Sequence, residues 1–342
     1  MKKFIFIFCA IVFSLACSQK NTPITVDPPI DTSKVEFAKG ADVSWVTEME
    51  AAGVKFYDAT GKSQECMALM KALGMNTIRL RVWVNPSPVW NNTADVVAKA
   101  LRAKSLGLRI MIDFHYSDFW ADPGKQTKPA AWAGKDLAGL KTALAEHTTE
   151  VLSALKNNSI DPEWVQVGNE TNDGMLWPEG KASANMSNFA QLLNAGYDAV
   201  KAVFPKAKVI AHISNGYSNT LFRWMFDGLK ANGARYDVIG MSLYPGPSDW
   251  SNFNQQCLSN MNDMVTRYSK EVMIVEVGMS WDSPQECRQF LSDLISKVKS
   301  VPGNKGLGVL YWEPQAYNWK GYSLGAFDNA GKPTVAFEAF KN

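Results

Sequence analysis

The chain has 342 residues, 46% of them hydrophobic, and a formal net charge of +2. That length suits one large α/β domain or two small ones, and the apolar share supports a substantial core. The near balance of charges excludes a strong basic field and with it a nucleic-acid partner, which needs a basic stripe.

Met1-Lys2-Lys3 followed by an apolar stretch from Phe4 to Ala16 reads as an export signal. The stretch is too short to span a bilayer as a helix of the mature protein. It ends Ser14-Leu15-Ala16-Cys17, similar to a bacterial lipoprotein cleavage box with Cys17 as the lipidated residue and Ser14 where leucine is usual. Residues 1–17 are therefore expected to be a lipoprotein-type signal. The protein is expected at the bacterial outer membrane or cell surface, touching the membrane only through lipid. Simple cleavage with secretion, or a periplasmic location, is the alternative. Residues 18–35, rich in Pro, Thr, Asp and Lys, read as a flexible tether. Residues 36–342 are left as one domain.

From residue 36 onward, strand and helix patterns alternate. Strands are expected at 38–43, 77–82, 108–114, 164–168, 208–213, 238–243, 272–277 and 308–312. Most are continuous apolar runs without in/out alternation, which indicates strands buried on both faces, as in parallel sheets. Helices are expected at 64–73, 94–105, 137–156, 188–204, 220–231, 254–268 and 284–299. Gly74, Gly107 and Gly233 stand where a C-terminal glycine ends a helix, and Ser283-Pro284 reads as N-cap and first helical residue. Eight strands with intervening helices predict an α/β fold of the (β/α)8 TIM-barrel type, as a single domain. An open doubly wound sheet fits less well, because no Gly-rich phosphate turn follows the first strand. The polar, aromatic-rich segments 85–92, 115–132, 169–180, 244–253 and 313–329 all follow strands, on the face where such barrels build active sites.

Two apolar runs end in a lone glutamate: Val165-Gln166-Val167-Gly168-Asn169-Glu170 and Val272-Met273-Ile274-Val275-Glu276-Val277. A carboxylate there is costly unless its charge is used. The bland alternative is a pair of strand-end charges facing water. On the fourth and seventh strands of a barrel the two would meet across the mouth. A separation of about 5–5.5 Å would suit a retaining sugar-cleaving enzyme, with Glu170 as acid/base and Glu276 as nucleophile. The charge of Glu276 would keep Glu170 protonated, and a guanidinium beside Glu276 would keep it ionised. Arg79 and Arg81 share one side of the second strand, and one of them is expected to make a structural ion pair instead.

Further candidates lie on the same face. His115 and Asp118 are candidates to hold sugar hydroxyls, with Trp120 as a stacking platform. Asn169 is placed to bond a 2-hydroxyl, Tyr244 to reach Glu276, and Trp312 to floor the site. Trp177 and Trp281 are candidates for outer subsites, and His212 with Asn215 for a further polar contact. For each histidine a structural role is the competing reading, and for each aromatic, packing; Trp164 is read as core and His147 is given no function. The load of 12 tryptophans fits a carbohydrate cleft. Past the signal, Cys66, Cys257 and Cys287 leave at least one free thiol, and Cys257 and Cys287 could pair if their helices are neighbours. No Cys/His cluster has metal-ligand spacing, so neither a metal nor a cofactor is expected.

These segments resemble glycoside hydrolase family 53, the arabinogalactan endo-β-1,4-galactanases. The matching stretches are Lys39-Gly40-Ala41-Asp42-Val43-Ser44-Trp45, 76–86, 113–126, 165–180, 275–278 and 311–314, in the family's order. The resemblance implies a retaining (β/α)8 enzyme that cuts β-1,4-galactan side chains of pectin internally. It carries the acid/base onto Glu170 and the nucleophile onto Glu276, and favours Arg79 as the support of the nucleophile. Segment 279–286 lacks the Asp, His and Asn ligands with which some bacterial members bind calcium, so calcium is not carried over. The loop around Phe119 and segment 244–250 look individual. The expected partner is galactan or its oligosaccharides, bound by a monomer. The alternatives are a surface barrel that binds glycan without cutting it, and a β-1,4-glycanase for another polymer such as mannan.

Overall fold

Eight strands close into a parallel barrel: β1 (Ala38–Asp42), β2 (Thr77–Val82), β3 (Arg109–Phe114), β4 (Trp164–Val167), β5 (Lys208–Ile213), β6 (Val238–Leu243), β7 (Glu271–Val277) and β8 (Gly306–Trp312). They pair in chain order and β8 returns to β1. The computed structural model describes Met1 and residues 36–341. The rest of the expected signal, the expected lipidation site Cys17 and the expected tether lie outside the described residues. Residues from Phe37 onward form one unit, described here by itself.

Helices on the outer face are α1 (Val46–Ala51), α2 (Cys66–Ala72), α3 (Thr93–Ser105), α4 (Leu137–Asn157), α5 (Met186–Val203), α6 (Asn219–Ala231), α7 (Trp250–Tyr268) and α8 (Pro284–Lys299). The expected strands and seven helices are found, with α7 starting a turn earlier than expected. α1 and the small hairpin Phe56–Tyr57 with Ser63–Gln64 are additional. Gly74, Gly107 and Gly233 end their helices at φ of +98°, +70° and +66°, a region that costs other residues a steric clash. Ser283 does occupy the cap position of α8, but its hydroxyl turns to Asp282 and caps no helix N–H.

Alternation along the strands sorts the core into two clusters. Ile110, Ile112, Val165, Val167, Val209 and Ala211 face outward and pack under the helices. Met111, Trp164, Ile210, Val238, Met273 and Val275 form a separate plug inside the barrel. Above that plug the inward rows turn polar: Arg79, Asp113, Gln166, His212 and Ser242, all buried. An apolar floor under a polar layer is what makes the upper end reactive and the lower end structural.

One irregularity decides the aim of Glu276. Met241 pairs with Ile274 but Ser242 pairs with Glu276, and on the other side Val309 pairs with Ile274 and Tyr311 with Val277. Both neighbours thus see one extra residue on β7. Met273 and Val275 belong to the inner plug, so strict alternation would send Glu276 outward among the helices. The bulge turns it to the mouth.

Cys66, Cys257 and Cys287 are buried free thiols. α7 and α8 do pack together, yet the possible Cys257–Cys287 bridge is not made. Among the described residues no helix is long and apolar enough to cross a membrane, and no group of three or more His, Cys, Asp or Glu side chains is arranged to hold a metal ion.

Candidate active site

A cleft of about 320 Å³ opens at the carboxyl ends of the strands, lined by His115, Trp120, Ala121, Asp122, Asn169, Glu170, Tyr244, Glu276, Trp312, Tyr322 and Leu324. Its electrostatic centre is Arg79, fully buried on β2. Nη1 lies 2.8 Å from Asp42 Oδ2, and Nη2 lies 2.9 Å from Asp113 Oδ2 and 2.8 Å from Glu276 Oε1. The same Nη2 reaches Asn169 Oδ1 at 3.0 Å and Gln166 Oε1 at 3.1 Å. One cation faces three carboxylates, so acidic groups outnumber the cation at the centre of the site.

Burial is the largest influence on both glutamates and pushes both upward from the ordinary carboxyl value. Arg79 opposes the rise at each, and the two carboxyls repel one another's charge. The pair therefore titrates as a unit that retains one proton over a wide range. Contacts decide where that proton sits. Glu276 has the Arg79 guanidinium on Oε1, and the Tyr244 hydroxyl donates to Oε2 at 3.1 Å. Among the described residues Glu170 makes no ion pair; the Ser242 hydroxyl and the more distant Arg79 favour its ionisation, and the Asp122 charge works against it. These contacts favour the anion on Glu276 and the proton on Glu170. Asp113 differs again: burial raises it, but Arg79 and His115 outweigh burial and hold it below the usual range.

The two histidines bond mainly to the scaffold, and His115 also lines the cleft. His115 Nδ1 accepts from Ala121 N–H at 3.1 Å, and Nε2 is 3.0 Å from Asp113 Oδ2. His212 Nε2 is 2.7 Å from Ser242 Oγ, and Nδ1 accepts from Gln166 Nε2 at 2.9 Å and from Glu170 N–H at 3.3 Å. Burial holds both imidazoles below their ordinary value and thus neutral. His212 orients the backbone of Glu170 and the Ser242 hydroxyl that meets its carboxyl.

Asp118 does not reach the cleft. Its two oxygens accept backbone N–H groups from Asn85 and Ala130, each at 2.9 Å, and so tie two loops together. Asn215 is an exposed turn residue at φ +56° and does not line the cleft either. Trp177 and Trp281 are half-buried in the loops after β4 and β7, outside the lining; Trp177 Nε1 bonds Asp173 O at 2.8 Å. Asn169 lines the cleft, but its Oδ1 faces Arg79 and its Nδ2 donates to Ala121 O at 2.8 Å, so much of its bonding capacity is spent on the scaffold.

Trp120 and Trp312 do form a wall, packed edge to face at 5.6 Å between centroids and joined by Tyr322 and Trp45. Arg81 stands behind that wall, its guanidinium carbon 4.2 Å from the Trp120 ring centre, and pairs with Glu313 at 3.2 Å. It is the structural member of the two arginines. Asp42, Asp113, Gln166, Ser242, Asp122 and Tyr322 are functional neighbours that the sequence reading did not single out. Asp42 and Asp113 carry the signal that marks the glutamates, an acid ending an apolar strand. Tyr322 carries none, because the loop after β8 folds back over the mouth.

With this geometry in view, comparison with known proteins is direct. The family model for glycosyl hydrolase family 53 matches residues 38–340, which spans all eight strands. A probable arabinogalactan endo-β-1,4-galactanase A from Neosartorya fischeri is 35% identical over 300 residues, covering 81% of this chain and 83% of that protein. An arabinogalactan endo-β-1,4-galactanase from Thermothelomyces thermophilus is 34% identical over 297 residues, covering 81% and 89%. A solved structure from a study of two fungal β-1,4-galactanases superposes with a TM-score of 0.82 at 32% identity, covering 89% of this chain and 99% of that one. A GH53 catalytic domain from Ignisphaera aggregans gives 0.81 at 29% identity, covering 92% and 98%. The chain belongs to glycosyl hydrolase family 53 and is a glycoside hydrolase.

Proposed function

We infer that this enzyme is an endo-acting, retaining hydrolase of β-1,4-galactosidic bonds in the (arabino)galactan side chains of pectin, with Glu170 as acid/base and Glu276 as nucleophile. Relatives named as endo-β-1,4-galactanases, matched over four fifths of the chain, support the substrate. The observation that carries the roles is the unequal treatment of two carboxyls in one cleft: Glu276 is held by Arg79 at 2.8 Å and Tyr244 at 3.1 Å, and among the described residues no cation pairs with Glu170.

The chemistry follows from that inequality. Glu170 gives its proton to the glycosidic oxygen while a Glu276 oxygen attacks the anomeric carbon. The C–O bond breaks, the shortened chain leaves as an alcohol, and a glycosyl ester remains on Glu276. Glu170, now a carboxylate, takes a proton from water. The resulting oxygen attacks the same carbon, displaces Glu276 and restores the starting configuration. Trp120, Trp312 and Tyr322 offer ring faces and edges to the C–H surfaces of the sugars. The rate should rise with pH as Glu276 ionises and fall as Glu170 loses its proton.

The test is proton NMR of the first sugar released from linear galactan, together with azide rescue of alanine variants. The β anomer should appear first. Glu276→Ala with azide should yield an α-galactosyl azide, and Glu170→Ala the β product. An α anomer from the unmodified enzyme would contradict retention. No release from galactan would favour the glycan-binding barrel, and release from mannan instead would favour a different polymer. From the export-type segment 1–17 we also infer a location outside the cytoplasm, held to the bacterial outer membrane or cell surface by lipid on Cys17, with secretion or a periplasmic location as the alternative.

A further inference from the structure

A third carboxylate, Asp122, lines the catalytic cleft beside Glu170. It sits in the loop after β3, in a tight turn where its N–H and C=O exchange bonds with those of Lys125, each at 2.9 Å. That turn is fastened to the segment carrying the acid. Gln126 Nε2 lies 3.1 Å from Asp122 O, 2.8 Å from Asn169 O and 3.4 Å from Glu170 O. Asp122 is thus fixed in register with Glu170 by a buried amide.

Its side chain is only half used. Oδ1 accepts from Gly124 N–H at 2.9 Å, and among the described residues nothing donates to Oδ2. The adjacent cation is turned away: Lys125 Nζ lies 4.9 Å from the centre of the Phe119 ring. Capping the turn needs one oxygen, which asparagine would supply equally well. A full negative charge next to an acid that must stay protonated, with one oxygen idle at the cleft wall, calls for a second user.

The geometry points to Asp122 as a recognition residue for the leaving sugar: Oδ2 accepts a hydroxyl flanking the scissile oxygen. This rests on Glu170 being the acid/base. In a β-1,4 chain the oxygen that Glu170 protonates is O4 of the leaving galactosyl unit. The hydroxyls within reach of a carboxylate beside that acid are therefore O3–H and O6–H of the same unit. Before cleavage such a bond positions the leaving sugar, and after cleavage the unit departs with its own hydroxyls intact, so Asp122 exchanges no proton with it.

The experiment compares kcat/KM on linear galactan with kcat/KM on a 2,4-dinitrophenyl β-1,4-galacto-oligosaccharide. The second substrate has no leaving sugar and a phenolate that departs without a proton. Asp122→Asn keeps the acceptor for Gly124 N–H and removes the charge. It should lose about tenfold more on galactan than on the aryl substrate, and its basic limb on galactan should move to lower pH, because Glu170 ionises more easily without the neighbouring anion. Asp122→Glu should leave that limb at the wild-type position. Equal losses on both substrates, or an unmoved basic limb in Asp122→Asn, would overturn the assignment while leaving the acid intact. Glu170→Ala, run alongside, should also lose far more on galactan than on the aryl substrate. If it does not, the acid role fails and the assignment of Asp122 falls with it.

Discussion

Glu170 combines two costs at one position. Its φ is +44°, in the left-handed region that side chains other than glycine, asparagine and aspartate seldom occupy, and its carboxyl is pushed upward chiefly by burial. The backbone cost is common to any residue with a Cβ, but the electrostatic cost belongs to the acid alone. A carboxyl whose folded-state value lies above its unfolded value binds more protons folded than unfolded. Its contribution to stability is therefore greatest below about pH 4.5 and is lost as pH rises from there through the raised folded value. Glu170→Gln keeps the shape and the backbone but removes the titration. It should be inactive on galactan yet more stable at pH 7 by about 1–2 kcal/mol, a rise in Tm of about 2–6 °C. Near pH 4 the two melting curves should coincide. A lower Tm for the variant at neutral pH would mean that Glu170 is stabilised as an anion, and the acid role would lose its support.

Among the elements, β4 brings Glu170 to the mouth and α5 sets the position of β4. Gly196 lets that helix approach: a Cβ there would lie 2.5 Å from Val167 Cγ1 and 3.3 Å from Leu144 Cδ2. Valine has one strongly preferred rotamer and cannot swing aside. Alanine gains about 1 kcal/mol of helix propensity over glycine, but overpacking against a stiff neighbour costs about 1–3 kcal/mol. Gly196→Ala should therefore lower Tm and, through Val167, also lower kcat. Gly228 in α6 makes the contrast, because its added Cβ would meet Met186 Cε at 2.6 Å, the free end of a flexible chain. Gly228→Ala should be neutral or stabilising, and melting curves that rank the two variants the other way would refute the packing argument. The same scale shows what was legible in the sequence. Short, largely apolar runs marked the strands, because a strand buried on both faces carries polar residues mainly where it reaches the site. The bulge at Glu276 was invisible, since an extra residue in a strand leaves no mark on composition. The loop residues His115, Asp118 and Asn215 were found as polar groups at the correct face. Whether a polar group meets sugar or a backbone N–H depends on the path of the loop, which their identity does not encode.

For the whole molecule the open quantity is where this chemistry takes place. The family model matches residues 38–340, and the core and the cleft of the described residues lie within that span. Position in the cell and catalytic power should therefore separate by mutation. A lipid anchor gains about 0.8 kcal/mol per buried CH₂, so one acyl chain gives only reversible attachment, and two or more hold a protein on a membrane. A diacylglyceryl thioether at Cys17 would meet that requirement, and an oxygen or methyl in place of the sulfur cannot form it. Cys17→Ala should move the enzyme from the membrane fraction to the soluble fraction, with kcat/KM on galactan unchanged. Cells carrying that variant should lose galactan hydrolysis from their washed surface in proportion. If the variant stays in the membrane fraction, attachment runs through some other contact. If instead both fractions lose activity, the segment ahead of the barrel contributes to folding, and anchoring and catalysis are not separable as argued.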